Sequence, residues 1–303
     1  MGKLGANAVV TAPAAAAPLH SLLASAEMPT TDGNRWELGY EFCPESCGRA
    51  VSWDWSCGED KPLKPRSDED PSAISVEPWL VVVDASCECS RGFSEEDYVG
   101  RATRLLEAST SAAVEHEFWT GTLNPANPHL AASGSAQCFE LVADGAPLPP
   151  KRALAALQHA LATCPCSPGG RGTIHATAEL AALWGYAGYL REEGNRLVTA
   201  VRRDIVVAGT GYPGTGPGGV QPGPGQVWAF ATSGMVQVRL TAPRVVPETL
   251  AEALDRKTNR VEYYAERTVG ASWDGCCLAA VLVDLTDGAG GTGEEPGDGG
   301  GGL

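Results

Sequence analysis

The stretch from Ser94 to Gly121 constrains this chain more than any other. Ser94, with Asp97 three residues later, makes a capping-box-like start, and Glu95 and Glu96 suit the positive end of a helix dipole. Tyr98, Ala102, Leu105, Ser109, Ala112 and His116 then recur at spacings of three and four, which lines them along one face. Gly121, just after Trp119, ends the helix. About 25 residues at about 1.5 Å each give a rod of roughly 37 Å, longer than the usual globular helix. Such a rod serves as a spine along which other elements pack.

The remaining sequence falls into blocks around this spine. Residues 1–34 lack periodicity and are rich in Ala, Pro and Thr, which predicts a flexible, extended arm. Lys3, the Ala-rich run and Ala24-Ser25-Ala26 look like parts of a signal peptide. However, Asn7, Pro13, Pro18 and His20 break the apolar stretch that a leader keeps continuous. Residues 35–78 combine Trp36, Tyr40, Phe42, Trp53 and Trp55 with the polar run Gly58-Glu59-Asp60-Lys61-Pro62, the pattern of a long hairpin with an exposed tip. Trp79 to Val83 reads as a buried strand.

Beyond the spine, Pro149-Pro150 opens a second helix through Leu157 and Leu161 that stops at Cys164-Pro165. A strand over Gly172 to Ala176 precedes a third helix from Thr177 to about Glu192. Strands are predicted over Leu197 to Val201 and Ile205 to Ala208, and Gly209 to Gly225 must be a loop. Val227 to Thr232 and Met235 to Leu240 predict a hairpin about Ser233-Gly234, with later strands over Val261 to Thr268 and Cys277 to Leu285. Residues 287–303 contain nine Gly and no aromatic, so they cannot form a core.

Composition removes several classes of function. No segment approaches the ~18 consecutive apolar residues of a membrane span, so no membrane partner is expected. Net charge is −15, from 37 acidic against 22 basic residues. The basic residues are scattered, with Arg202-Arg203 the densest pair, whereas tight phosphate binding needs them clustered. Nucleic-acid contact is therefore expected to be weak and non-specific. Ten cysteines in 303 residues fall below the density of a disulfide scaffold. Cys43-x3-Cys47, Cys87-x-Cys89, Cys164-x-Cys166 and Cys276-Cys277 form no paired C-x2-C knuckles. Reduced, partly buried thiols and no metal are expected. Cys43, Cys47 and Cys57 are the one group worth testing for metal.

One cofactor motif tempts. Gly209-Thr210-Gly211-Tyr212-Pro213-Gly214 matches G-x-G-x-x-G directly after a strand. The dinucleotide reading requires a helix to begin there, yet the chain continues Thr215-Gly216-Pro217-Gly218-Gly219. No cofactor is expected, and the loop, with Tyr212, is expected to form a flexible lip where subunits meet. There is no G-x-S-x-G elbow and no H-E-x-x-H, and Glu115 and Glu117 lie on different helix faces. No enzyme is expected.

The order of elements resembles the Hong Kong 97 fold of tailed-phage major capsid proteins. The resemblance rests on Gly172-Thr173-Ile174-His175-Ala176 followed by a helix and by Leu197 to Gly211. It rests also on Asn259 through Ala265-Glu266-Arg267, then Asp274 and an apolar strand to Leu285. It implies an α+β fold with an N-arm (1–34), an E-loop hairpin (35–78), a P-domain with spine helix (79–147), an A-domain (148–235), returning P-domain strands (236–286) and a Gly-rich tail (287–303). It further implies a structural subunit that self-assembles through pentamers and hexamers into an icosahedral head around double-stranded DNA, made in the host bacterial cytoplasm. Scaffold, portal and decoration proteins are the other partners implied. Residues 1–34 are too few for a fused scaffold, so a separate one or none is expected.

Trp53, Trp55 and Tyr212 are then candidate assembly contacts. Some members cross-link an E-loop Lys to a neighbour's Asn with a Glu as base, roles that Lys61 or Lys64, Asn259 and Glu266 could fill. Glu59-Asp60 beside Lys61 would keep that amine charged, against such chemistry. Competing readings are an encapsulin-like shell or another phage structural protein, an enzyme with a dispersed site, and a Cys-rich secreted binding module.

Overall fold

The computed structural model describes residues 16, 18–29, 35–44, 47, 73–86, 94–167, 169–258 and 260–286. In chain order these form α1 (Leu22–Ser25), β1 (Tyr40–Phe42), β2 (Ile74–Val76), β3 (Trp79–Asp84), the spine α2 (Glu95–Thr120), β4 (Cys138–Leu141) and α3 (Pro150–Thr163). Then come β5 (Gly172–Thr177), α4 (Ala178–Tyr186), β6 (Leu190–Glu193), β7 (Arg196–Thr199), β8 (Ile205–Gly209), β9 (Gln226–Ser233), β10 (Gln237–Leu240) and β11 (Arg244–Val246). The last are α5 (Leu250–Ala253), β12 (Leu254–Asp255), β13 (Arg260–Val261), β14 (Tyr264–Ser272) and β15 (Cys277–Asp284). The architecture is α+β.

The spine forms as its sequence dictates. Ser94 Oγ accepts the Asp97 N–H at 3.3 Å while the Asp97 carboxylate accepts the Ser94 N–H at 2.9 Å, closing the capping box. Gly121 ends the helix in the left-handed region at φ 61°, its N–H bonded to Glu117. Ser94→Ala should cost about 1 kcal/mol and lower the melting temperature by a few degrees, read by thermal unfolding. The expected apolar stripe is corrected in its second half: Ser109 and His116 are exposed, and Tyr98, Ala102, Leu106, Thr110, Val114 and Phe118 form a buried row at steps of four. Steps of four advance the buried face by about 40° each, so it winds around the rod. The rod therefore packs along one sheet for its whole length, Tyr98 beside Tyr263 and Phe118 beside Trp79, and its second half also meets another sheet through Trp119 and Phe230.

The first of these sheets has four strands, with β14 pairing β3 along one edge and β10 and β11 along the other. Trp79 and Val81 turn inward to the spine, while Leu80 and Val82 are 55% and 53% exposed on the outer face. The second sheet has seven strands in the order β4-β15-β9-β5-β8-β7-β6. Ile174, Ala229, Ala231, Ala279 and Val281 face α3 and α4, and the alternate residues Trp228, Phe230, Leu278 and Ala280 face the second half of the spine. Burial on both faces explains why its central strands read as unbroken apolar runs.

Several expectations need correcting. Val227–Thr232 and Met235–Leu240 are not a hairpin: β9 belongs to the seven-stranded sheet and β10 to the four-stranded one. Gly234, at φ 67°, is where the chain changes sheets. The third helix stops at Tyr186, with Gly188 left-handed at φ 76°, and Leu190–Glu193 instead pairs with β7. β4 and β15 both join the seven-stranded sheet. Finally, part of the expected free arm is docked. Leu22 is fully buried, Ala208 N–H bonds His20 O at 2.9 Å, and Glu27 pairs with Val236 and Val238. The segment straps both sheets together. β1 pairs antiparallel with β2.

Candidate functional site

The densest polar constellation lies where the strap, the spine and the Gly-rich loop meet. Glu115, in the buried half of the spine, has no exposed surface. Its Oε1 accepts the Leu22 N–H at 2.9 Å and the Ser111 hydroxyl at 3.2 Å. Its Oε2 accepts the Gly211 N–H at 2.8 Å and the Thr210 hydroxyl at 3.4 Å. One carboxylate thus satisfies backbone donors from two segments that meet no other partner there. Burial pushes its pKa above the ordinary 4.5, although the four donors, Gly211 first, act in the opposite direction.

Beside it runs a second buried chain. The Tyr212 hydroxyl lies 2.8 Å from His175 Nδ1, His175 Nε2 lies 3.2 Å from Thr232 Oγ1, and Thr232 donates to the Thr173 carbonyl. The consistent assignment is Tyr212 donating to Nδ1 and Nε2–H donating to Thr232. Burial lowers the His175 pKa to about 3, so the ring is neutral at physiological pH. Tyr212 is pushed well up by burial and then by the charge of Glu115. Phe118 sits 5.5 Å from His175, and Trp119 lies 4.7 Å from Tyr212 and edge-on to Phe230 at 4.9 Å. Aromatic walls and this hydrogen-bond chain make the joint rigid.

This joint accounts for the glycines that match the dinucleotide pattern. A Cβ on Gly211 would stand 2.0 Å from the Ala112 carbonyl of the spine, and one on Gly209 would strike the Tyr212 ring. Glycine is there to let the loop backbone press against the helix. Tyr212 is accordingly located inside the subunit, 6% exposed, and offers no lip to a neighbour. Thr210, Pro213, Gly218 to Gln221 and Gly223 to Gly225 are the exposed positions of the loop.

Of the other expected site residues, Trp53, Trp55, Lys61, Lys64 and Asn259 lie outside the described residues, as do Cys57, Cys87 and Cys89. Glu266 stands on β14 opposite Val82, and its carboxylate is 3.8 Å from Arg244 across the β11 pairing. That cation holds the group as an ion-pair partner.

Two features escaped the sequence. At one end of the seven-stranded sheet Leu183, Tyr186 and Val201 are exposed, Tyr186 by 96% and Val201 by 85%. The Ala200 N–H to Tyr189 O bond brings the two segments side by side. The cysteines are the second feature, and the expectation of unpaired thiols is corrected for six of them. Cys47–Cys276, Cys138–Cys166 and Cys164–Cys277 are disulfides, with Cα separations of 5.2, 6.0 and 6.5 Å. Cys43 is free and exposed. Local spacing gave no hint of these pairs because their partners are 229, 28 and 113 residues apart.

No family model matches the sequence, and no curated protein matches it either. In three dimensions the chain is similar to a solved structure of Mycobacterium phage Cain, at 12% identity and TM-score 0.52 over 92% of this chain and 95% of the other. It is similar also to the capsid of a native GTA particle, at 12% identity and TM-score 0.51 over 90% and 99%. A structure of Mycobacterium phage Adephagia matches at 13% identity and TM-score 0.50 over 89% and 91%. Spine, flanking sheets and hairpin root together define the class: this is a capsid fold of the Hong Kong 97 type.

Proposed function

We propose that the chain is a structural subunit that self-assembles into an icosahedral phage head enclosing double-stranded DNA. The observation that carries this reading is the shared capsid fold, which extends over about nine-tenths of this chain and of its counterparts. In this reading the four-stranded sheet with the spine takes the place of the P-domain, and the seven-stranded sheet that of the A-domain. The hairpin rooted at β1 and β2 is the E-loop laid across a neighbour, with Trp53 and Trp55 as its contacts. The exposed tip of Leu183, Tyr186 and Val201 is the surface that meets its copies around the five- and sixfold rings, since isolated apolar groups this open are stabilised by burial. The net charge of −15 keeps the wall from holding DNA tightly. The buried polar joint at Glu115 and His175 serves to fix the two sheets rather than to catalyse.

Negative-stain microscopy of the purified protein is the direct test. Closed shells are expected, and a persistent monomer at high concentration would sink the reading. Tyr186→Asp and Val201→Asp should each abolish or strongly reduce shells while leaving the subunit's melting temperature within about 2 °C, because surface changes cost little stability. Normal particles from both variants would remove the tip from the interface.

A further inference from the structure

Six cysteines from four separate stretches of chain meet at the corner where β14 turns into β15. We propose that this cluster is a redox-timed staple: six thiols while the shell assembles, and three disulfides within each subunit once it meets an oxidant. The proposal rests on the shell reading above, because assembly in a cytoplasm means assembly under reducing conditions.

The placement of the bonds argues for a mechanical role. Cys164–Cys277 ties the end of α3 to β15, and Cys138–Cys166 ties edge strand β4 to the same loop. Cys47–Cys276 ties the segment after β1, at the root of the hairpin, to the corner between the two sheets. Two of the loops these bonds close span 229 and 113 residues, and long loops restrict the unfolded chain most. The sulfurs are also reachable. Cys47, Cys138 and Cys166 are half-buried, so two of the bonds have an accessible partner. The inner pair, Cys164 and Cys277, is buried but lines a cavity of about 410 Å³ together with Cys138, Gln137 and Glu140.

The oxidant is a low-molecular-weight disulfide such as oxidised glutathione. One cysteine thiolate attacks it and releases one small thiol, and the second cysteine thiolate then displaces the other. For each bond two cysteine thiols are oxidised and one small disulfide is reduced to two thiols.

Particles isolated from a reducing lysate should be trapped at once with N-ethylmaleimide, and a second portion oxidised with glutathione disulfide before trapping. In the first, peptides bearing Cys47, Cys138, Cys164, Cys166, Cys276 and Cys277 are expected to carry maleimide. In the second they should be joined in one linked complex, with the subunit still a monomer on a non-reducing gel. The melting temperature should rise by about 10 °C or more. Thiols still open after oxidation, bonds already complete in the reducing lysate, ladders of linked subunits or an unchanged melting temperature would each overturn the staple. Cys164→Ser with Cys277→Ser should lose part of the rise, and retention of the full rise counts against the proposal. Should that pair fail to fold, Cys138→Ser with Cys166→Ser replaces it, since both side chains are half-buried. A chain that forms no particles defeats the shell reading alone, because trapping and melting are then read on the free subunit.

Discussion

Gly211→Ala is expected to destabilise the subunit by at least about 3 kcal/mol and to lower its melting temperature by about 6 °C or more. The added methyl would stand 2.0 Å from the Ala112 carbonyl oxygen, which belongs to the backbone of the spine and cannot rotate away. Either the loop lifts, breaking the Gly211 N–H bond to Glu115, or the helix bends at the point where it carries Phe118 and Trp119. Both routes open the packed centre between the sheets, and close-packed interiors transmit such strain. Gly134→Ala is the control, because nothing lies within 4 Å of its added Cβ, and it should change stability by no more than about 0.5 kcal/mol. Equal melting temperatures for the two variants would refute the close approach of loop and spine.

Glu115→Ala should be as severe, costing about 3 kcal/mol or more, because it leaves the Leu22 and Gly211 N–H groups buried without an acceptor. Limited proteolysis should then cut within the strap around Leu22, while the wild-type strap stays protected. The ionisation of the same group sets a pH dependence of unusual sign. Its folded pKa is raised above 4.5, so the folded state holds the proton more tightly than the unfolded chain does. Stability from this group is therefore complete below 4.5, falls as pH rises towards the raised folded value, and is level above it. Glu115→Gln does not titrate and should lack that fall. Denaturant midpoints of wild type and Glu115→Gln across this window provide the check, and parallel curves would contradict it. Tyr212, whose pKa is raised partly by the charge of Glu115, should titrate at lower pH in the Gln variant.

Much of the fold was legible from residues a few positions apart. Ser94 and Asp97, Gly121, and Pro150 at the start of α3 mark helix ends through contacts made within a single turn, and all three lie where the sequence places them. The strands β3, β5, β8, β9 and β15 were readable from runs of apolar residues bounded by turn formers. The strap was not, because its Ala-, Ser- and Leu-containing segment has no periodicity; buried Leu22, the bridge to Glu115, the His20 bond to Ala208 and the pairing with β10 hold it. The candidate site was legible only in outline. The G-x-G pattern suggested a flexible lip between subunits, whereas its glycines let the backbone press against a helix of the same chain.

The spine from Ser94 to Gly121, the alternation of strands and helices, and the absence of a recognisable catalytic motif were determined by the sequence itself. These depend on hydrogen bonds and side-chain spacings that close within about one helical turn. Tertiary structure alone decided that β9 and β10 part company into different sheets and that β4 and β15 lie side by side. It alone placed Glu115 as the acceptor shared by strap and loop, and paired Cys47 with Cys276 across 229 residues. Such pairings carry no local signature, because each partner's own neighbourhood is satisfied equally well by any donor or thiol that the folded chain brings within reach.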